Sequence, residues 1–109
     1  MDYILDMESG GGIALNKQVV CGNNINLSTG VVLGKKHSGK KQGVPSIGNN
    51  VYFGPGAKVI GNVLIGNNIA IGANAVIVED IPDHSAYIVK KGRIIPSNAT
   101  NCMINNRYV

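Results

Sequence analysis

One short segment of the sequence contains most of the side chains that could carry chemistry. Residues 35–45 include four lysines and one histidine, His37, and have no hydrophobic period. A histidine can take up or release a proton near neutral pH, and clustered lysines can attract an anion such as a phosphate-bearing small molecule. A solvated loop, in which the lysines maintain solubility and His37 has no catalytic task, explains the same residues. Both interpretations stay open at this point.

A six-residue hydrophobic period predicts the elements that hold this segment. Apolar residues recur at two positions of each hexad, the first series being Ile47, Phe53, Val59, Ile65, Ile71 and Ile77 and the second Val51, Ala57, Val63, Ile69, Ala75 and Ile81. A helix repeats at about 3.6 residues and a strand at about 2, whereas a period of six is typical of short strands joined by corners. Gly-Asn-Asn at residues 48–50 returns at residues 66–68. Gly and Asn tolerate the left-handed backbone of tight corners, so the pattern predicts a small parallel β-helix with three hexads in each coil.

The register continues toward the N-terminus and is interrupted once. Leu15, Cys21, Leu27 and Leu33 hold the first apolar position, and a buried Cys21 would behave as a small hydrophobe. After Leu33 the next hexad is due at position 39 but begins at Ile47, so eight residues are inserted. We expect residues 35–45 to leave the coil as a protruding loop in water. After residue 82 the period dissolves, and we expect one or two short closing strands within a C-terminal cap over residues 83–109.

The length predicts a single domain over residues 1–109, which the six-residue period makes all-β, and the net charge is +4. Nucleic-acid binding is not favoured, because no aromatic residue interleaves the loop lysines. We find no signal peptide and no membrane span, so the cytoplasm is the expected compartment. Two histidines cannot build a three-histidine metal site, and no metal is expected. A short solenoid exposes its faces and ends, and a homotrimer is the expected remedy because the coil is triangular.

Several segments resemble the serine acetyltransferase family. These are Val-Pro-Ser-Ile-Gly-Asn-Asn-Val-Tyr-Phe-Gly-Pro-Gly-Ala-Lys-Val-Ile-Gly-Asn at residues 44–62, Ile-Gly-Ala-Asn-Ala-Val-Ile-Val-Glu-Asp-Ile-Pro at 71–82, and Gly-Ile-Ala-Leu-Asn at 12–16. The length of the interrupting loop is also similar. The resemblance implies a left-handed parallel β-helix of hexapeptide repeats that forms a trimer. It implies transfer of acetyl from acetyl-CoA to a small hydroxyl acceptor, serine or a sugar, in a groove between subunits that the loop covers.

The resemblance also implies roles for individual residues. A histidine of the family deprotonates the acceptor hydroxyl, and His37 is the loop histidine that could do so here. Ala73 matches a corner where the family's backbone approaches the pantetheine arm of CoA. Lys58 and Arg93 are candidate partners for CoA phosphates, because a cation beside a phosphate gains charge-assisted hydrogen bonds. Gly34 opens the loop and completes the candidate cofactor-binding set, although it also suits a simple turn.

The sequence departs from the family at its two histidine positions. Ser9 and Val44 stand there, and neither can act as a general base near neutral pH. Glu8, beside Ser9, is a candidate substitute, although a near-terminal carboxylate is commonly only solvated. His84 resembles a structural histidine of the family. The alternative function is therefore a trimeric scaffold or pseudoenzyme that has lost its base.

Overall fold

The structure, a computed structural model, describes residues 2–6, 12–94 and 96 and contains a left-handed parallel β-helix. Its strands are β1 Asp2–Asp6, β2 Gly12–Asn16, β3 Val20–Cys21, β4 Ile25–Leu27, β5 Val32–Gly34, β6 Ser46–Ile47, β7 Val51–Phe53, β8 Lys58–Ile60, β9 Leu64–Ile65, β10 Ile69–Ile71, β11 Val76–Ile77 and β12 Ala86–Tyr87. Most of these strands are two or three residues long, as expected when a corner interrupts the chain in every hexad. The all-β prediction is confirmed.

The strands form the three faces of a triangular prism. Face 1 has the order β1-β2-β5-β8-β11, face 2 the order β3-β6-β9, and face 3 the order β4-β7-β10-β12. All neighbouring strands are parallel except β1, which runs antiparallel to β2 at the N-terminal edge of face 1. The hexad period did not predict β1. The chain visits faces 1, 2 and 3 in turn, so we call the corners between them the first (1 to 2), second (2 to 3) and third (3 to 1).

Strand pairing gives the length of each coil directly. Val51 pairs with Ile69 and Ala14 with Val32, so both pairs of partners are separated by the same three hexads. Ile25 pairs with Val51 across a longer stretch of chain, because the inserted loop lies between them. We therefore number the coils as coil 1 (residues 12–29), coil 2 (30–55), coil 3 (56–73) and coil 4 (74–87). The additional residues inferred from the hexads are all in coil 2.

The core is the stacked inner side of the prism, mainly in coils 2 to 4. Its buried apolar residues are Ile13, Val31, Leu33, Ile47, Val51, Phe53, Ala57, Val59, Val63, Ile65, Ile69, Ile71, Ala75, Ile77 and Ile81. Every member of both predicted apolar series from Ile47 to Ile81 is among them. Inner strand positions alternate with outward ones such as Tyr52, Lys58 and Val76, which are exposed. The predicted inward register is thus confirmed.

Asparagines build the second corner by repeating one hydrogen bond from coil to coil. The Oδ1 atom of Asn49 accepts the N–H of Asn23 at 2.6 Å, and Oδ1 of Asn67 accepts the N–H of Asn49 at 2.7 Å. Asp83 Oδ1 ends this ladder by accepting the N–H of Asn67. The residue after each member has left-handed backbone, with φ of 64° at Asn24, 58° at Asn50, 59° at Asn68 and 57° at His84. His84 therefore closes a corner series, in agreement with its structural interpretation.

The expected burial of Cys21 was wrong. Cys21 has the inward register of Ile47 and Ile65 but is exposed. The reason is that β3 is the edge strand of face 2, with β6 on one side and no strand of the described residues on the other.

One of the expected closing strands is present at the other end of the coil. It is β12, which pairs with β10 in parallel, whereas residues 88–94 form no strand. The end of the tail, including Cys102, lies outside the described residues. Within the described part of the chain, no helix is long and apolar enough to cross a membrane.

Candidate functional site

The lysine loop, residues 35–45, is a small hairpin at the first corner of coil 2. Lys36 and Gly43 exchange both backbone hydrogen bonds, at 2.9 and 3.0 Å. At its tip, the side-chain amide of Gln42 donates to the carbonyl of Gly39 at 3.1 Å, and Gly39 and Lys41 have left-handed backbone. Residues 37–42 are exposed, whereas Pro45 at the base is buried. The loop therefore has a defined shape of its own.

Contacts with coils 3 and 4 hold the lysine loop against the first corner. The N–H of Asn62 donates to the carbonyl of Lys41 at 2.9 Å, and the N–H of Gly61 donates to the carbonyl of Gly34 at 3.1 Å. Lys41 Nζ lies 3.7 Å from Asp80 Oδ1. Residues 37–42 of the loop are exposed to water, while the backbone at Lys41 is hydrogen-bonded to coil 3 at the prism edge.

His37 stands on the exposed part of this loop among the lysines at positions 35, 36, 40 and 41. No carboxylate lies within residues 35–45, and Asp80 reaches the loop through Lys41. The local charge is therefore positive, which favours anions in water close to the loop.

Three of the four candidate cofactor-binding residues lie at the first or third corner, where the strands of face 1 end and begin. Gly34 ends β5 at the first corner, where a Cβ atom would meet Ile60 Cδ1 at 3.0 Å. Lys58 begins β8 at the third corner, and its Nζ donates to the carbonyl of Gly56 at 3.0 Å. Ala73 occupies the following third corner, at the end of coil 3, and stacks on Gly54 so closely that a Cβ atom on residue 54 would lie 2.8 Å from the Ala73 nitrogen. The backbones of coils 2 and 3 are therefore in close contact at this corner.

The fold does not bring all the candidate residues together at one corner. Lys58 and Gly61 mark the two ends of face 1, and three residues of strand span about 10 Å. His37 and Gly34 therefore belong to the first corner, and Lys58 and Ala73 to the third. Arg93 is exposed in the segment that follows β12. A ligand of extended shape could contact both corners.

Of the two positions where the resemblance places histidines, the structure describes only Val44. Val44 is half-buried at the base of the loop, between Gly43 and the buried Pro45. Ser9 and Glu8 lie outside the described residues. Among residues 2–6, 12–94 and 96, no group of three or more His, Cys, Asp and Glu side chains could hold a metal ion.

The repeat and most of the remaining chain match proteins of known class. The family described as bacterial transferase hexapeptide (six repeats) matches residues 45–79. Over 93 residues, 84% of this chain, the sequence is 37% identical to a serine acetyltransferase of Staphylococcus aureus. It is 34% identical over 91 residues to a serine acetyltransferase of Helicobacter pylori. The chain belongs to the serine acetyltransferase-like hexapeptide-repeat family.

Solved structures of serine acetyltransferases share the fold of this family member. Isoform 3 from Entamoeba histolytica, in complex with cysteine, matches with a TM-score of 0.68 and 30% identity over 85% of this chain and 33% of that chain. The Neisseria gonorrhoeae enzyme in complex with serine gives 0.60 and 32% identity over 75% of this chain and 36% of that chain. The chain spans 43% of the length of the Staphylococcus aureus relative and 53% of the Helicobacter pylori relative.

Sequence reasoning missed three residues of this serine acetyltransferase-like corner, namely Gly61, Asn62 and Asp80. All three belong to other coils and lie close to Lys41 of the lysine loop. A signal existed in the period: Asn62 stands one full coil after Val44 at the same corner, and Asp80 stands one full coil after Asn62. Stacking the coils in register would therefore have brought Asn62 and Asp80 to the base of the loop.

Proposed function

We propose that this chain is part of an acetyl-CoA-dependent O-acetyltransferase that acts on a small hydroxyl compound. The observation that carries the proposal is the 37% identity to a serine acetyltransferase over 84% of this chain. That share of the chain is too large to be the regular coils alone. A shared coil supports only the fold, whereas a shared loop supports a shared site, because loops on rigid scaffolds carry most binding and catalytic residues.

The described residues suit the chemistry of CoA. Its phosphates need cations, which Lys58, Arg93 and the loop lysines at positions 35, 36, 40 and 41 offer from exposed or half-buried positions. Its pantetheine arm needs a smooth track for an extended chain, which the third corner at Ala73 offers because this residue is exposed and its side chain is only a methyl group. These two features support acetyl-CoA as the co-substrate.

His37 is our proposed base. Its imidazole removes the proton of the acceptor hydroxyl while the hydroxyl oxygen attacks the thioester carbonyl carbon. The carbon–sulfur bond then breaks, CoA leaves as the thiolate, and a proton from His37 neutralises it. The neighbouring Lys36 and Lys40 would attract the phosphates of the same CoA toward the loop.

Serine is the proposed acceptor, and a sugar hydroxyl is the alternative. The related enzyme from Neisseria gonorrhoeae was solved in complex with serine, and both curated relatives described above are serine acetyltransferases. Either acceptor is polar and small enough to enter beside an exposed hairpin tip.

A homotrimer is part of the proposal. His37 and Ala73 lie at different corners of one prism, and a groove between neighbouring copies would bring the first corner of one copy to the third corner of the next. Exposed apolar side chains on the outside of the prism, Val76 and Leu64 among them, are surface that another copy could cover.

The second candidate function is a scaffold that has lost its chemistry. The specific observation in its favour is Val44, an apolar residue at a position where the family has a histidine. Such a scaffold would still bind CoA through its cations and its smooth corner, and it would lack turnover.

The deciding experiment measures CoA binding and CoA release on the same purified protein. We expect acetyl-CoA to bind by calorimetry, more weakly as salt is added because phosphate contacts are screened. Thiol release should require serine or one of a panel of sugars. His37→Ala should lower kcat by about 10²–10⁴-fold with binding unchanged, whereas Ser38→Ala, a neighbouring exposed change, should leave both unaltered.

Each failure has its own meaning. Binding without turnover on any acceptor would favour the scaffold. Full turnover by His37→Ala would remove His37 as the base. No binding at millimolar acetyl-CoA would exclude the acetyltransferase proposal for this chain, and a monomer mass by light scattering would exclude a groove between copies.

A further inference from the structure

The contacts of the lysine loop with the prism converge on one turn of coil 3. Gly61 donates its N–H to the carbonyl of Gly34, where the loop begins, and Asn62 donates to the carbonyl of Lys41, near its other end. The turn therefore binds both sides of the hairpin through its backbone. A backbone contact of this kind depends on how closely the two segments can approach.

The approach is close because residue 61 is a glycine. Its φ is 98°, and a Cβ atom built there would lie 2.9 Å from the carbonyl oxygen of Lys41 and 3.5 Å from Cβ of Lys36. The nearest obstacle is backbone of the loop itself, which cannot turn aside as a side-chain tip can. Any side chain at position 61 would have to displace the hairpin or forgo its own backbone conformation.

A second tether joins the loop to coil 4. Asp80 Oδ1 accepts the N–H of Leu64 at 2.9 Å, which fixes the carboxylate, and the same atom lies 3.7 Å from Lys41 Nζ. Both side chains of this ion pair are about half exposed, so its contribution is modest and sensitive to salt. Lys41 is thus held twice, through its carbonyl by Asn62 and through its ammonium by Asp80.

We propose that Gly61 and Asp80 are positioning residues for the lysine loop: they dock it on the prism edge so that its lysines and His37 face a bound ligand in one arrangement. The consequence for binding rests on the proposed acetyl-CoA function, whereas the docking itself does not. Docking in advance removes the cost of ordering a flexible loop when the ligand arrives.

Amide hydrogen exchange at Asn62 tests docking without any ligand, because its N–H is the donor to Lys41. In Gly61→Ala this exchange should become about tenfold faster than in the unaltered protein, as expected when a local contact opens. The matched control is Gly30→Ala. Gly30 also has left-handed backbone, with φ of 76°, but a Cβ there meets its nearest atoms at an ordinary 3.5 Å. Equal Asn62 exchange in the two variants would overturn the proposal.

Asp80→Asn provides a second route if Gly61→Ala fails to fold. Asparagine keeps an oxygen that can accept the Leu64 N–H and removes only the charge that attracts Lys41. Asn62 exchange should rise about two- to threefold at low salt, and the difference should vanish at high salt. Lys41→Gln should have the same effect. Combining it with Asp80→Asn should raise the Asn62 exchange rate no further, because both substitutions remove the same ion pair. No rise in either single variant would exclude the Asp80 tether.

The binding consequence is measured with acetyl-CoA on the same variants. Gly61→Ala should weaken acetyl-CoA binding about tenfold, in proportion to its loss of docking, with Gly30→Ala unchanged. Faster exchange at Asn62 with unaltered affinity for acetyl-CoA would mean that Gly61 docks the loop but that docking does not position it for binding. If the unaltered protein does not bind acetyl-CoA, the proposed function fails, and the exchange data alone decide whether Gly61 and Asp80 dock the loop.

Discussion

Coil 1 and coil 3 follow the same hexad rule, yet they bury their inward side chains to very different extents. Cys21 is exposed and Ile25 and Leu27 are half-buried in coil 1, whereas the corresponding residues of coil 3, Ile65, Ile69 and Ile71, are buried. The difference lies in what is stacked against them. Coil 3 has a coil on both sides, whereas coil 1 has coil 2 on one side and, among the described residues, only β1 on the other.

The comparison shows that the direction of a side chain and its burial have different causes. A residue's place in the hexad decides that its side chain points inward, but the coils above and below decide whether water reaches it. The inward side chains at the N-terminal end of faces 2 and 3 are consequently less well covered than those of coil 3. Substitutions placed at equivalent positions of coils 1 and 3 should measure this difference.

The largest expected effect is in the core of coil 3. Ile65→Ala removes methyl groups from a fully buried site and should lower the free energy of unfolding by about 2–5 kcal/mol. Leu27→Ala, at a half-buried site of coil 1, should cost roughly half as much, because part of its surface is already in water. Urea unfolding of both variants measures the difference. Equal losses would mean that coil 1 is covered in solution.

A smaller effect is expected in the asparagine ladder. Asn49→Ala removes the oxygen that accepts the Asn23 N–H, and should cost about 1 kcal/mol, the usual value of a hydrogen bond in proteins. Asn23→Ala changes the corresponding residue of coil 1, beneath which the described residues contain no further coil, and should cost much less. Thermal unfolding compares the two variants. A larger loss from Asn23→Ala would contradict the ladder as a source of stability.

The smallest effect on stability is expected at Cys21. Cys21→Ala should cost less than about 1 kcal/mol because the site is open to water. Partial burial nevertheless raises the pKa of the Cys21 thiol above its ordinary value. The thiolate fraction at a given pH is therefore lower than for a free thiol, and the alkylation rate should reach its half-maximum at higher pH than in the unfolded protein.

The thiol measurement is made in a Cys102→Ser background, so that one thiol reacts. An alkylation profile that matches the unfolded protein would show that Cys21 lies wholly in water. No alkylation in the folded state, even at high pH, would show that the end of coil 1 is covered.

Much of the candidate site followed from the sequence because the lysine loop is a local insertion. His37 and Gly34 were named from residues close to one another in the chain, and the break between Leu33 and Ile47 located the loop. Gly61 and Asp80 were missed because each lies close to Lys41 from another coil, across a long separation in sequence. Nothing in the immediate neighbourhood of a glycine in a turn indicates that a distant carbonyl lies against it.

The sequence by itself determined the period, the inward register, the coil length and the position of the insertion. These properties follow from spacing, because apolar side chains that recur every six residues are buried together when the chain forms stacked triangular coils. Only the tertiary structure decided which inward residues are buried, that β1 runs back along β2, and that the loop rests on Gly61 and Asp80. Those outcomes depend on which segments become neighbours in space, because burial and hydrogen bonding are settled between coils and not within a hexad.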